Sequence, residues 1–420
     1  MASRPRVRYL AVGFLMNTML GTAYAWSVFT KSLKASFGAT EFTAMLPFAV
    51  ALAMFSVGMV FAGRLVDRHG PRRIAILGGV LVGGGYLLSS LVARTPWPLA
   101  VLTLTYGGVV GLGIGFAYNP PIPTAVRWFP DRRGLASGVV VMGFGLSALF
   151  TAPLADFLLT SYGVSTTFVA LGLAFLAGLV ALGSLLEFPP EGWQAPPTKG
   201  PSTPTRAPLA DADTRTMVRS RAFWISWILY ALGTAGGFMI IGKARDLAAE
   251  IGLVTGVLAV AAVQVLAVFN SVGRPLFGRT ADAYGPRRAL LLMYVVLLGG
   301  MVLLATSTTW VPLYGGIALV GTVFGGFLAV MPALSTYYFG TKHLGTNYGV
   351  LFTGYGTGAV VALFAIGPIH DAFGTFVPAF YVGIALSVGG LLLSLQVRPP
   401  RPTPARMEVP GPAGGETFRA

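Results

Sequence analysis

Long apolar runs alternate with short polar segments along nearly the whole chain. Within each run the residues are continuously apolar, which is typical of a membrane helix; a barrel strand would alternate apolar and polar residues. A helix needs roughly 20 apolar residues to cross a bilayer. The pattern predicts twelve spans, at 9–29, 43–63, 74–93, 98–123, 134–159, 164–186, 222–244, 254–278, 289–307, 311–338, 346–369 and 376–396.

The composition agrees with a chain that is dissolved in lipid. Hydrophobic residues make up 55% of the sequence and charged residues only 10%, whereas a soluble domain has about 25% charged residues. The chain contains no cysteine, which excludes disulfides and thiolate metal sites. Its three histidines lie near loops, so we expect no zinc site and no cofactor. These features predict an all-α membrane protein.

The net charge of +15 is unevenly distributed. Basic residues precede the first span and recur in every second loop: Arg4, Arg6, Arg8, Arg64, Arg68, Arg72, Arg73, Arg127, Arg132, Arg133, Arg279, Arg287 and Arg288. The opposite loops hold little beyond Lys31, Lys34, Arg94 and Arg245. Because basic loops stay in the cytoplasm, we predict an inner-membrane protein with both termini cytoplasmic, and no nucleic-acid partner.

The first span raises one alternative. Ala23-Tyr24-Ala25 resembles a signal-peptide cleavage site. The apolar run continues beyond that point to Phe29, and eleven predicted spans follow. We therefore expect a first helix that is retained.

An eleven-residue motif occurs twice in the chain. The pattern G-R-x-x-D-x-x-G-P-R-R spans 63–73 and returns 215 residues later at 278–288. A fixed offset is a strong sign of internal duplication. It predicts a six-helix bundle at 1–186, a cytoplasmic linker at 187–221, a second six-helix bundle at 222–397 and a disordered cytoplasmic tail at 398–420. Such duplication is typical of carriers.

The duplicated motif resembles the loops after the second and eighth helices of the major facilitator superfamily. The resemblance covers the whole chain and implies two pseudo-symmetric six-helix bundles. Asp67 and Asp282 lie where helix N-termini and arginines can bind a carboxylate. We expect them, together with Arg64 and Arg279, to hold the inner gate closed. The alternative is that these loops only maintain topology, which is the preferred interpretation for the arginine pairs at 72–73 and 287–288.

The same offset pairs Asp156 with Asp371, near the outer ends of the fifth and eleventh spans. Asp156 is the only carboxylate of the sequence inside a predicted span, and Asp371 lies two residues beyond one. Their equivalence in the repeat predicts a structural or gating role.

Three further segments narrow the resemblance. Tyr24-Ala-Trp-Ser-Val-Phe29 ends the first helix, 113–119 and 127–138 lie in and after the fourth, and Asn270-Ser-Val-Gly-Arg274 lies in the eighth. Together they look like the oxalate/formate antiporters and the monocarboxylate transporters. Those families imply small carboxylate substrates such as lactate, pyruvate, formate or oxalate. In them an arginine of the eighth helix binds the carboxylate, and Arg274 matches that position.

Arg274 also stands out without the resemblance, because it is the only basic residue well inside an apolar span. Arginine there costs about 2.5–3.5 kcal/mol on insertion scales, so it needs a cavity or a partner. Its repeat equivalent is Met59, so the architecture alone does not require it. Asn270 shares its helix face, and a guanidinium can hold a carboxylate by two hydrogen bonds. The alternative is that Arg274 snorkels to the membrane interface.

Polar and aromatic residues inside the spans are further candidates for the substrate site. Pro275 removes one helical hydrogen bond beside Arg274 and predicts a bend there. Phe324 could bound the apolar end of a substrate or pack in the core. The remaining candidates could donate hydrogen bonds to an anion or be packing residues: Tyr24, Tyr118, Asn119 and Tyr355.

Departures from the two families bear on substrate and coupling. The oxalate carriers have a lysine in the eleventh helix, whereas 349–358 contains no Lys or Arg here, so a monoanion fits better. The animal monocarboxylate transporters have a lysine and an acid where this chain has Val28 and Asn270, so the proton carrier stays unassigned. Importing an anion against the membrane potential costs about 2.3 kcal/mol per 100 mV, which favours proton symport.

The sequence therefore predicts a monomeric alternating-access carrier of lactate- or pyruvate-like monocarboxylates, coupled to protons. An oxalate/formate-type exchanger is the alternative. A membrane-embedded enzyme, a substrate sensor or a drug pump is disfavoured, because the spans hold no catalytic His/Asp cluster and no central acid.

Overall fold

The computed structural model describes residues 6–194, 211–241, 247, 250 and 257–399. The first half contains α1 (Val7–Leu20 and Trp26–Phe37, joined by the 3-10 turn Gly21–Ala25), α2 (Glu41–His69), α3 (Pro71–Ser89), α4 (98–128) and α5 and α6, which lie on either side of Gly163 within Arg133–Gly183. The second half contains α7 (Arg221–Ile241), α8 (Val257–Tyr284), α9 (Pro286–Ala305), α10 (Trp310–Phe339), α11 (Leu344–Phe373) and α12 (Val377–Ser394).

In the described part of the chain, nine helical segments are long and apolar enough to cross a membrane. One of them is the 51-residue segment Arg133–Gly183. At 1.5 Å per residue it is more than twice as long as a bilayer is thick, and it is broken at Gly163, whose φ is 76°. The two long segments outside these nine are α1, which the 3-10 turn divides, and α8, which carries Arg274.

The duplicated motif forms equivalent turns in the two halves. Gly70 has a φ of 80° and Gly285 a φ of 86°, a region that residues with a Cβ rarely adopt. Each is followed by a proline at the first position of the next helix, where the missing N–H has no helical partner anyway. The G-P pair thus turns the chain from α2 into α3 and from α8 into α9.

Prolines interrupt one helix and leave another continuous. In helix α4 the regular backbone hydrogen bonding is interrupted at Asn119 and Pro120, although both residues keep helical backbone angles. By contrast, α8 continues through Pro275 without losing its helical assignment. Pro275 therefore does not break α8, although it removes one N–H from the backbone hydrogen bonds of the helix.

The two halves meet along two seams, α2 against α11 and α5 against α8. At the end of the bundle that carries the duplicated motif, here called the basic end, glycines line both seams. A Cβ on Gly63 would overlap the carbonyl of Gly345, and a Cβ on Gly134 would overlap that of Gly278. Glycine therefore allows the backbones of opposite halves to touch at the basic end.

Part of the predicted linker has a defined position. Residues 195–210 lie outside the described part, but Thr214–Arg219 forms a short helix. Just before it, the Asp211 carboxylate accepts hydrogen bonds from the amides of Thr341 (2.9 Å) and Lys342 (3.1 Å). The end of the linker thus packs on the loop between α10 and α11. Of the predicted tail at 398–420, residues 400–420 lie outside the described part.

Candidate anion site and gate

Arg274 is 0% exposed, at the seam between α8 and α5. Its Nε and Nη2 donate to the Asn270 side-chain oxygen at 3.3 and 3.1 Å, and its Nη1 donates to the backbone carbonyl of Val141. Asn270 lies one turn away on the same helix, as the spacing predicts, and Val141 belongs to the opposite half. The side chain therefore points between the two halves and does not extend to the membrane interface.

The Arg274 charge has no carboxylate partner among the described residues, whose ion pairs all lie elsewhere. A guanidinium has five N–H donors, and the three hydrogen bonds above use one on Nε, one on Nη1 and one on Nη2. The Tyr24 hydroxyl also lies within hydrogen-bond reach of the guanidinium. Parallel N–H groups of a guanidinium can bind both oxygens of a carboxylate. A buried cation in this state is arranged to accept an anion.

Two tyrosines from opposite halves close over Arg274. The Tyr24 and Tyr355 hydroxyls are 3.0 Å apart, and both interact electrostatically with the guanidinium. Tyr24 belongs to the 3-10 turn of α1, and its ring meets Phe144 edge-on with centroids 5.0 Å apart. The Tyr355 ring lies 6.1 Å from Phe324, which is 1% exposed and forms part of the wall on that side.

Three more tyrosines lie beside this group. Tyr118, which the sequence singles out, interacts electrostatically with Arg274. Tyr230 of α7 and Tyr348 of α11 were not among the sequence candidates, although they carry the same signal, a polar aromatic residue inside an apolar span. The Tyr348 hydroxyl interacts with the hydroxyls of both Tyr118 and Tyr230, so the three form one polar group. The polar surface around Arg274 thus includes two tyrosines, Tyr230 and Tyr348, beyond the residues predicted from the sequence.

Asn119 lies at the α2–α11 seam. Its side-chain amide donates to the carbonyls of Met59 (3.4 Å) and Gly345 (3.2 Å), so it joins α4 to both helices of the seam. None of its hydrogen bonds involves Arg274. Its position fits a role in closing the seam better than the role of anion ligand that the sequence suggested.

Asp67 joins the halves at the basic end. Its carboxylate accepts hydrogen bonds from the Gly345 amide (3.1 Å) and from the Thr346 amide and hydroxyl (2.7 and 2.8 Å). These amides belong to the first turn of α11, where the helix dipole favours an anion. The second helix of one half is thereby held to the eleventh helix of the other.

Asp282 makes the repeat-equivalent contact in the opposite direction. It accepts hydrogen bonds from the amides of Gly134 (2.7 Å) and Leu135 (2.8 Å) in the first turn of α5, and from the Tyr337 hydroxyl (3.2 Å). The two aspartates thus form a pseudo-symmetric pair of contacts between the halves.

The arginines at this gate differ from those expected. Arg64 and Arg279 are exposed, and no hydrogen bond or ion pair joins them to another described residue. Instead, Arg127 lies 3.7 Å from Asp67 and donates to the carbonyls of Thr341 (2.9 Å) and Lys342 (3.2 Å). Arg133 is 7% exposed, and its guanidinium lies over the Tyr337 ring. Sequence reasoning placed both only among the basic loops, because periodicity does not show which arginine turns inward.

Contacts in the structure give little support to the predicted gating role of Asp156 and Asp371. Asp156 is exposed near the end of α5 away from the basic end, and its side chain makes no hydrogen bond to any described residue. Asp371 lies in α11, but its side chain falls outside the described residues. The gating role of this pair stays a prediction. In the described part, no three His, Asp or Glu side chains come together as a metal site.

Known proteins are similar in sequence to most of the chain. It is 30% identical to the MFS-type transporter YhjX of Escherichia coli over 84% of this chain and 86% of that protein. It is 27% identical to the oxalate:formate antiporter of Oxalobacter formigenes (84% and 82%) and 26% identical to monocarboxylate transporter 12-B of Danio rerio (79% and 74%).

The fold has counterparts among solved structures. The crystal structure of the transporter FucP in the outward conformation covers 93% of this chain with a TM-score of 0.69 at 14% identity. The sequence profile of the Major Facilitator Superfamily matches residues 10–263 and 243–415. This protein is therefore a multi-pass membrane transporter, not an enzyme, and it belongs to the Major Facilitator Superfamily.

Proposed function

We propose that this protein carries small monocarboxylate anions, lactate- or pyruvate-like, by alternating access and together with a proton. The observation that carries the proposal is Arg274, a fully buried cation without a carboxylate partner in the described residues. A guanidinium can bind the two oxygens of one carboxylate through two parallel N–H groups. Asn270 fixes the plane of the guanidinium, so the Arg274 side chain loses little conformational entropy when the anion binds.

The number of cations favours a monoanion. Among the residues that the structure describes, two cations are buried: Arg274 near the tyrosines, and Arg133, which lies at the gate beside Asp282. A dianion would bring a second buried charge without a partner, which is costly in a low-dielectric site. The names of the relatives, oxalate:formate antiporter and monocarboxylate transporter, support a carboxylate substrate.

Alternating access needs a gate whose contacts form in one conformational state and break in the other. In our proposal the basic end faces the cytoplasm, and the Asp67 and Asp282 contacts hold it closed while the anion enters from outside. When these contacts break, the α2–α11 and α5–α8 seams separate, and Arg274 faces the cytoplasm. Asp67 accepts three hydrogen bonds from the opposite half and Asp282 accepts two. A hydrogen bond to a charged group contributes about 1.5–3 kcal/mol, and opening the gate breaks all five.

Proton coupling rests on energetics. Uptake of a bare monoanion costs about 2.3 kcal/mol per 100 mV of membrane potential, and a proton carried with it removes that cost. No carboxylate contacts Arg274 within the described ranges, so we assign the proton to no residue. The same observation favours the second candidate, an anion exchanger of the oxalate/formate type, which needs no proton site.

Uptake of labelled lactate into proteoliposomes tests the proposal. We expect Arg274→Lys and Arg274→Ala to abolish uptake, because a lysine cannot offer two parallel hydrogen bonds, while both variants express and fold. Arg279→Lys, an exposed arginine of the same helix, is the matched control and should transport normally. Full uptake by Arg274→Ala would contradict the assignment.

A second measurement separates the two candidates. A symporter accumulates lactate when only a pH gradient is imposed across empty liposomes. An exchanger transports only when the liposomes are preloaded with a carboxylate. If uptake requires internal anion and does not respond to the pH gradient, the protein is an exchanger and not a symporter.

A further inference from the structure

Arg133 at the gate is a buried cation whose N–H groups are not used by the protein. It makes no hydrogen bond to any residue that the structure describes, and its Nε and Nη1 atoms are both buried and unpaired. Its guanidinium interacts electrostatically with Asp282 and Asp211 and lies 5.9 Å from the centre of the Tyr337 ring. Buried charges usually have hydrogen-bonded partners. The unpaired N–H groups therefore indicate a place where an anion binds.

Arg133 is the first residue of α5, whose N-terminus holds the Asp282 carboxylate. The next two residues, Gly134 and Leu135, donate their amide N–H groups to that carboxylate at 2.7 and 2.8 Å. Such amides have no partner within the helix and lie at the positive end of its dipole, so they favour an anion. A Cβ on Gly134 would lie 3.0 Å from an Asp282 oxygen, so glycine leaves room for a carboxylate. These three residues, 133–135, are here called the α5 cradle.

The two gate contacts differ in what remains when the halves separate. At Asp67 the neighbouring guanidinium is that of Arg127 in the first half, whereas the amides are those of Gly345 and Thr346 in the second half. Separation therefore moves the cation away from the amides. The α5 cradle consists of consecutive residues of one helix, so its cation and its amides stay together when Asp282 leaves with α8.

We propose that the α5 cradle is a second anion site, which binds the carboxylate of a cytoplasmic anion once the gate has opened. In the closed gate the Asp282 carboxylate occupies the cradle. When α8 moves away from α5, the carboxylate of the anion takes the place of Asp282 and adds hydrogen bonds from the guanidinium of Arg133.

The anion and Asp282 exclude each other, because both use the amides of Gly134 and Leu135. An anion that binds only the open gate shifts the protein toward that state. A high concentration of cytoplasmic carboxylate thus slows closure of the gate and with it the next cycle of uptake. This inference goes beyond the proposed function: it rests on the gate, but not on binding of the substrate to Arg274.

The test measures the rate at which a maleimide labels Ser137→Cys in purified protein. Ser137 is buried at the α5–α8 seam, and the chain has no native cysteine. The reporter is combined with Arg274→Ala, and separately with Arg274→Lys, so that Arg274 does not mediate the effect. Sodium acetate is compared with sodium chloride at equal ionic strength, where both salts screen charges equally. We expect acetate to accelerate labelling about tenfold at about ten times its dissociation constant, as mass action on the open state requires.

Arg133→Gln should remove most of this acceleration, because it takes away the cation of the cradle. Arg132→Gln is the matched control: it removes the same charge from the preceding residue, whose side chain is 56% exposed. The quantity compared is the ratio of the rate in acetate to the rate in chloride within each variant, so a shifted gate equilibrium does not affect it. An unchanged or slower rate in acetate, or a full ratio in Arg133→Gln, would overturn the inference.

The two proposals fail differently. If Arg274→Ala abolishes lactate uptake and acetate does not accelerate labelling, only the cradle inference is overturned. If Arg274→Ala transports lactate normally and acetate accelerates labelling, the proposed function is overturned and the cradle inference stands.

Discussion

The Asp67 carboxylate accepts a 2.7 Å hydrogen bond from the Thr346 amide, which joins the second helix of one half to the eleventh helix of the other. Asp282, at the equivalent position of the repeat, binds the amides of Gly134 and Leu135 in the first half. Each half thus supplies one carboxylate and one helix N-terminus. The duplicated motif is therefore a reciprocal contact between the halves.

Asp282→Asn should favour opening at the basic end, because the neutral side chain binds the α5 N-terminus less strongly. We expect a cysteine introduced at Ser137, a buried position on the same seam, to react about threefold to tenfold faster with an impermeant maleimide. The native chain has no cysteine, so this reporter is alone in the protein. Labelling at the wild-type rate would contradict the gate.

Gly134→Val should prevent closure of the basic end. Its side chain would overlap the Gly278 carbonyl in the closed seam, and overpacking of this kind costs about 1–3 kcal/mol. We expect lactate uptake to fall roughly tenfold, since that free energy shifts the gate toward the open state. Gly299→Val, where no atom lies within 4 Å, is the control and should transport normally.

Asn270→Asp should make uptake strongly dependent on pH. The introduced carboxylate would lie about 3 Å from the guanidinium, where Asn270 now accepts its hydrogen bonds, and would compete with the substrate when ionised. Protonation at low pH removes this competition, so uptake should fall as the pH rises. Asn270→Gln, which adds no charge, serves as the control, and equal pH profiles for the two variants would contradict the expectation.

Tyr24→Phe and Tyr355→Phe should not have additive effects. Their hydroxyls are hydrogen-bonded across the halves at 3.0 Å, so either single change already removes the bond. We expect the KM for lactate to rise in each single variant and little further in the double variant, with a coupling of about 0.5–1.5 kcal/mol. Strictly additive effects on KM would show that the two hydroxyls do not act together to close the site.

The positions of the helices were largely readable from the sequence, because a membrane helix satisfies its backbone locally and its length is set by the bilayer. The 215-residue offset identified Asp67 and Asp282 as equivalents, and a single basic residue inside an apolar span identified Arg274.

The partners of these side chains were decided by the tertiary structure. Hydrophobic periodicity gives the face of a helix but not the neighbour it meets, so it could not show that Arg127 and Arg133 turn inward while Arg64 and Arg279 stay exposed. Nor could it place Asn119 at the seam or bring Tyr230 and Tyr348 beside Tyr118. These relationships join residues far apart in the chain, and only the packing of one half against the other brings them within contact distance.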